Sequence, residues 1–379
     1  MKTKKTLCKV NINWFMAFIL LNGCVEPIDF EIPSAQSQTV IEGMISTNPG
    51  PYTVKVSKGL NLNEDSLDLI PIENGSIKLY DDQGNVEDFT ETSPGIYKTG
   101  GIIQGQVGHA YHITLETSDG KFFESQPDII NPVGEVDSIK FEYEARTVKN
   151  SFDGSEVPAD VFNIFVDAHA GGGDENYVRW RFKGTFKVET FPKLRTTKPR
   201  GATKFIDPPT CSGYIVIGFV PAGKLQKVGE CTCCICWVNQ FESAPQISDA
   251  ELISGNQFRN VKVAELPINN ATFYEKYLVE IEQMSLSREA FQFFKLVRAQ
   301  KEGASNLFQP PSAEITGNIK PVNTTEPVIG LFWATSITKK SIFVYRSDVP
   351  YPLTPVNMDV DDCSIIYPNS VTEQPEGWE

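Results

Sequence analysis

Histidine is nearly missing: the 379 residues hold three. Imidazole is the side chain best suited to acid–base work and metal binding near neutral pH, so such chemistry has little material here. Net positive charge is also lacking. The formal charge is −14, with 34 lysines and arginines against 48 acids. Nucleic-acid binding needs clustered bases to neutralise phosphate, and this balance argues against it. It argues equally against electrostatic binding of the whole chain to anionic lipid. No Gly-x-Ser-x-Gly, no His-Glu-x-x-His and no phosphate loop ending in Gly-Lys-Ser/Thr occurs. Beyond the N-terminus no apolar run is long enough to span a bilayer. Disorder is excluded by a hydrophobic content of 40% with 11% aromatics.

The N-terminus reads as an address. Lys2, Lys4, Lys5 and Lys9 precede the apolar run Trp14 to Leu21, and Met1 to Gly23 contains no acid. The run is roughly a dozen Å long as a helix, too short to cross a membrane. It ends in Leu21-Asn22-Gly23-Cys24, which resembles a bacterial lipobox. Residues 1–23 are therefore expected to be a lipoprotein signal peptide, and Cys24 the lipidated first residue of the mature chain. Removing four lysines moves the net charge from −14 to −18. Glu26, Asp29 and Glu31 follow closely, as in acidic export signals of surface lipoproteins, and residues 24–36 are expected to be a tether.

The rest is expected to be mainly β. Thr39 to Ser46, Tyr52 to Ser57, Ser76 to Tyr80 and Tyr111 to Thr117 alternate with a period of two. Turn residues such as Asp81-Asp82-Gln83-Gly84-Asn85 separate them. An N-terminal Ig-like β-sandwich over residues 37–130 is expected, with Gln126 to Pro132 as the linker out of it. A larger β-rich domain, 131–379, follows. In it Val178, Trp180 and Phe182 fall on one strand face, and Arg179, Arg181 and Lys183 on the other. That basic face reads as solvated, with an anionic partner as the sharper reading. Tyr277, Val279 and Ile281 share another face. One prominent helix is expected near 287–302, capped by Ser287 and stopped by Gly303, with Ala290, Phe291, Phe294, Leu296 and Val297 on its apolar side. Two strands then follow, Val328 to Ile337 and Ser341 to Tyr345, joined by a turn at Thr338-Lys339-Lys340.

Cys8 leaves with the signal and Cys24 takes the lipid. Six cysteines remain: Cys211, Cys231, Cys233, Cys234, Cys236 and Cys363. An even number in an exported chain favours disulfides. Read as a strand, 231–236 would point Cys231 and Cys233 one way, Cys234 and Cys236 the other. If Cys211 and Cys363 each take one of these four, the other two must pair locally across a bend. The alternative is a thiolate site for zinc or Cu(I).

Other candidates are weaker. His109 and His112 lie three apart on a strand and so face opposite ways. Asp167-Ala168-His169 with its glycine loop matches no EF-hand spacing, and Asn61-Leu62-Asn63-Glu64-Asp65 lacks the required Gly and final acid. Asp359, Asp361 and Asp362 have no second group opposite them. No catalytic set and no cofactor motif is assembled, so the chain reads as not an enzyme.

Several segments in order resemble a family of Bacteroidota lipoproteins, the domain of unknown function 4249. They are Cys24-Val25-Glu26-Pro27-Ile28-Asp29-Phe30, Val40 to Thr47, Gly50-Pro51-Tyr52-Thr53-Val54-Lys55-Val56-Ser57, Gly95-Ile96-Tyr97, Tyr177-Val178-Arg179-Trp180, Cys231-Thr232-Cys233-Cys234, and Ser285 through Phe308 to Gly317-Asn318-Ile319. Members of that family are typically encoded beside TonB-dependent receptors. The resemblance implies a surface-facing outer-membrane lipoprotein, held to lipid through Cys24, that serves as a non-catalytic accessory to a TonB-dependent barrel. Two other readings are a stand-alone adhesion or glycan-binding lipoprotein, and metal capture through Cys231 to Cys236.

Overall fold

Period-two alternation turns into strands along most of the chain, and the structure is mainly β. The computed structural model describes residues 38–59, 69–172, 176–248, 253–254, 256–303, 315, 317–353 and 359–378. Cys24, the tether and Asn61 to Asp65 lie outside the described residues. No helix among the described residues is long and apolar enough to cross a membrane.

The first sheet has eleven strands. Its path begins at Ile319–Pro321 and continues through Phe122–Ser125, Ala110–Glu116, Ser76–Asp81 and Val86–Ser93. It then runs through Ile96–Thr99, Thr53–Gly59 and Gln38–Ser46 to Val328–Thr335. The last pairing is parallel, from Thr39 opposite Val328 to Ser46 opposite Thr335. Both end strands come from the segment that sequence order assigns to the second domain, so the first sheet is not contiguous in the chain. One core gathers Ile41, Ile45 and Phe332 from one end of this path with Ile113, Phe123 and Ile319 from the other. The sheet therefore wraps so that its ends approach.

Side chains complete that closure. One edge of Val328–Thr335 pairs with Gln38–Ser46. On Phe332, Asn318 Oδ1 accepts the backbone N–H at 3.0 Å and Nδ2 donates to the carbonyl at 2.6 Å. Asn318 thus takes the place of a neighbouring strand, and unpaired backbone groups at a buried position are avoided. Two residues on, Asp128 Oδ2 accepts the Ala334 N–H at 2.8 Å. Glycine is needed at this seam: a Cβ on Gly317 would lie 1.4 Å from the Gly330 carbonyl oxygen, and one on Gly330 1.9 Å from that of Ile41. The segment expected as a linker, Gln126 to Pro132, is part of this closure. Asp128–Ile129 pairs with Ala110–Glu116, and Ile130 is fully buried.

The second unit stacks two antiparallel sheets. One orders Val136–Glu144, Val161–His169, Gln257–Pro267 and Ile253–Ser254. The other orders Ile337–Tyr345, Lys276–Ser285, Val178–Glu189, Ile235–Phe241 and Ser370–Val371, with Gln246–Ile247 beside Val178–Glu189. Phe162, Ile164 and Val166 from the first meet Trp180, Phe182 and Tyr277 from the second in one core. Trp180 and Tyr277 are fully buried, on the faces their alternation predicts. Burial of the Trp180 indole requires an acceptor, and Gln283 Oε1 supplies it at 2.8 Å. The same amide donates to the carbonyls of Gly134 and His169 at 2.9 and 2.7 Å.

The turn expected at Thr338-Lys339-Lys340 is not there. These residues sit inside Ile337–Tyr345, opposite Gln283, Glu282 and Ile281. The break falls at Ser336, where the chain leaves the first sheet and enters the second. Ser336 N donates to Ser285 Oγ at 2.9 Å and Ser336 Oγ to the Asn131 carbonyl at 2.5 Å, so the crossing is hydrogen-bonded to both neighbours. Polar lysines imitate a turn in sequence; here they are edge-strand residues, with Lys339 paired to Glu280. The helix Arg288–Gly303 begins where Ser287 Oγ accepts the Ala290 N–H at 3.2 Å, a side-chain N-cap.

Burial lifts the Asp128 carboxyl above the usual aspartate range, against hydrogen bonds from Ala334 and Ser287 that lower it. The folded state therefore holds this proton more tightly than the unfolded chain. Asp128 makes the protein less stable as pH rises from the ordinary aspartate value through its own raised one. Asp128→Asn keeps an acceptor for Ala334 and removes the charge. Urea unfolding from pH 4 to pH 7 is expected to show the variant gaining stability relative to the wild type as pH rises; a constant difference would contradict this account.

Candidate functional site

A cleft of about 650 Å³ lies where the two units meet. Alternation in four strands builds it. Gln38–Ser46 turns Ile41 and Ile45 into the first core and presents Glu42 and Met44 outward. Val328–Thr335 buries Phe332 and Ala334 in that core and gives Leu331 and Trp333 to the cleft. Thr53–Gly59 contributes Thr53 and Lys55, and Val178–Glu189 contributes Arg179 and Arg181. The helix adds Phe293, Phe294, Val297 and Lys301, and residues 242–245 complete the rim. The helix is held by a satellite core in which Ala290 and Phe294 pack with Leu331, Trp333, Met284 and Ile247. That core touches both units, which fixes the width of the cleft.

On the basic strand face Arg181 and Lys183 keep the solvent exposure expected from sequence, and Arg179 does not. Each cation has its acid: Arg179 with Glu242 at 2.7 Å, Arg181 with Glu282, and Lys183 with Glu280 at 3.2 Å. Arg179 is mostly buried, with its guanidinium carbon 4.4 Å from the centroid of the Phe294 ring. Burial pulls its pKa below the ordinary arginine value, and Glu242 opposes that shift. Glu242 also accepts the Phe182 N–H at 3.0 Å. Arg179 Nε has no hydrogen-bond partner among the described residues, which leaves one buried donor in the lining. Lys301 donates to the Ser243 carbonyl, tying the helix to the rim. The lining thus joins an apolar surface to fixed charges of both signs. Among the described residues it includes no histidine and no cysteine.

The six cysteines form three disulfides: Cys211–Cys233, Cys231–Cys234 and Cys236–Cys363. Residues 231–234 are not a strand, which starts at Ile235, so Cys231 and Cys234 meet across a bend. Sulfurs bonded to one another are not thiolate ligands, and the metal alternative loses its donors in this state. The histidines are dispersed. His109 Nδ1 lies 2.8 Å from Asp82, His112 stacks on Tyr80, and His169 Nδ1 lies 2.6 Å from Asp137. Asp167 is held by Lys140 and by the Asn260 N–H. Asp362 caps Cys363–Ile366 through the Ser364 N–H, and Asp361 faces Arg195. None of these acids reaches the cleft lining.

A family model described as "Domain of unknown function (DUF4249)" matches residues 25–341. The chain belongs to that family. Comparison with curated proteins and with solved structures returned no match. The range matched by this DUF4249 model takes in every strand and helix residue that lines the cleft. Sequence reading placed Phe294 on an apolar helix face but missed Glu242 and Trp333. Glu242 carries no local signal, since its meaning depends on the fold bringing it to Arg179.

Arg179→Leu removes one member of a buried ion pair and leaves Glu242 without its counter-charge. Urea unfolding is expected to show a loss of about 3 kcal/mol. Lys183→Leu, at an exposed pair, is expected to cost less than about 1 kcal/mol. Equal losses would contradict the burial argument.

Proposed function

We propose that this protein is a non-catalytic outer-membrane lipoprotein, anchored through Cys24 and facing the cell surface. It captures a ligand in the cleft between its two units and serves a TonB-dependent barrel as an accessory. The observation that carries the capture step is the cleft itself: a lining that mixes apolar and polar side chains, with an ion pair fixed in it and a buried Arg179 donor left over. Such a surface suits a ligand with an apolar body and a polar group, because a few placed polar atoms set orientation while apolar area supplies affinity. Family membership and the signal-like N-terminus support the location. Support for binding rather than chemistry comes from the dispersed histidines, none of which is among the described residues that line the cleft.

The adhesion or glycan-binding reading keeps one supporting observation, the aromatic side chains Phe293, Phe294 and Trp333 in the cleft. A mild-detergent pull-down of the lipidated protein from its native outer membrane separates the two. A stoichiometric TonB-dependent barrel is the expected result. A lipidated, membrane-bound protein with no barrel would sink the accessory role and put adhesion first.

A further inference from the structure

Charge is segregated in this acidic chain. Residues 193–227 hold seven lysines and arginines against the single acid Asp207. This excursion leaves the second unit after Val178–Glu189 and returns at Ile235–Phe241. Inside it Tyr214–Ile217 and Lys224–Lys227 form a two-stranded sheet apart from the larger ones. An isolated hairpin is marginal in water, and here Cys211–Cys233 and Cys231–Cys234 fasten its base. Its tip, Gly218 to Gly223, exposes Phe219 at 63%, and Ile217 just before it at 44%. Lys204 Nζ lies 5.8 Å from the Phe219 ring, and Lys224 is opposite Ile217. Lys198, Arg200, Lys204 and Lys224 are exposed and in no ion pair among the described residues.

We propose that this hairpin is a second membrane contact: its bases meet anionic lipid headgroups while Phe219 and Ile217 enter the interface. Three observations favour lipid as the occupant. The apolar tip flanked by Lys204 and Lys224 matches the depth order of a bilayer surface, with aliphatic stems able to snorkel. The remaining chain is net acidic and is repelled by the same surface, so charge favours this segment as the contact. Cys24 to Ser37 spans 14 residues, at most about 50 Å when extended, so an anchored protein stays within reach of the membrane. Exposure alone is not the signal. Phe152 is 97% exposed on the hairpin Thr147–Lys149/Glu156–Pro158, but Asp153 and Glu156 offset Lys149 there. The whole-chain charge that argues against lipid binding hides this local reversal.

The inference takes the anchored reading as its setting, and its test does not depend on it. The mature chain, residues 24–379 with Cys24→Ser, carries no lipid and no signal segment of its own to bind vesicles. Sedimentation is measured with vesicles of phosphatidylcholine, alone or mixed with phosphatidylglycerol. The expected result is binding to the anionic vesicles at least about tenfold tighter, lost as salt is raised. Replacing Lys198, Arg200, Lys204 and Lys224 by Gln should abolish the difference without changing thermal unfolding. Phe219→Ser should weaken binding severalfold. Equal binding to both vesicles, or a salt-insensitive preference, overturns the proposal without any variant. Failure to bind vesicles by a protein that still captures a barrel would assign this surface to a protein partner, and also overturns it.

Discussion

A buried strand edge needs partners for every N–H and carbonyl. In this protein that constraint falls on Val328–Thr335, the last strand of the first sheet. Gln38–Ser46 satisfies one edge in parallel register, from almost three hundred residues away. Among the described residues no strand pairs with the other edge at Phe332 and Ala334, and the side chains of Asn318 and Asp128 stand in. Much else depends on this arrangement. The two ends of the sheet meet there, the chain crosses to the second unit one residue later at Ser336, and the helix rests on the strand's outer face through Leu331 and Trp333. The two units are joined by a strand that belongs to one and runs directly into the other.

The cleft follows from the same geometry. Inward residues of Val328–Thr335 build the first core while outward residues line the cleft. On the other side, Val178–Glu189 repeats the logic with Trp180 inward and Arg179 outward. A site made from the outer faces of two packed sheets is largely preformed, which lowers the ordering cost of binding. The buried Arg179–Glu242 pair fixes charge beside the aromatic part of the lining, and its desolvation is offset by the Phe182 N–H and the Phe294 ring.

Local periodicity was readable in the sequence, and long-range pairing was not. Alternation placed Val178, Trp180 and Phe182 inward, and the Ser287 cap marked the helix start, because both signals are carried by neighbouring residues. The membership of Ile319–Pro321 and Val328–Thr335 in the first sheet had no such signal. A parallel partner can lie anywhere in the chain, and no turn announces it. Thr338 to Lys340 looked like a turn because polarity there reflects an exposed edge rather than a reversal. For the cysteines, spacing left the pairings open; the bend at 231–234 settles which two join locally. Net charge misled in the same way, since a sum over the chain conceals where the bases collect.

The central claim is that side chains close the first sheet as firmly as a strand would, making the two units one cooperative body. Native-state hydrogen exchange tests it directly. The Phe332 and Ala334 amides, bonded to Asn318 and Asp128, should exchange only through global unfolding. Their free energy of opening should equal that of a ladder amide in the second core such as Val279. Exchange of these two amides at a markedly lower free energy, with Val279 still protected, would contradict the claim.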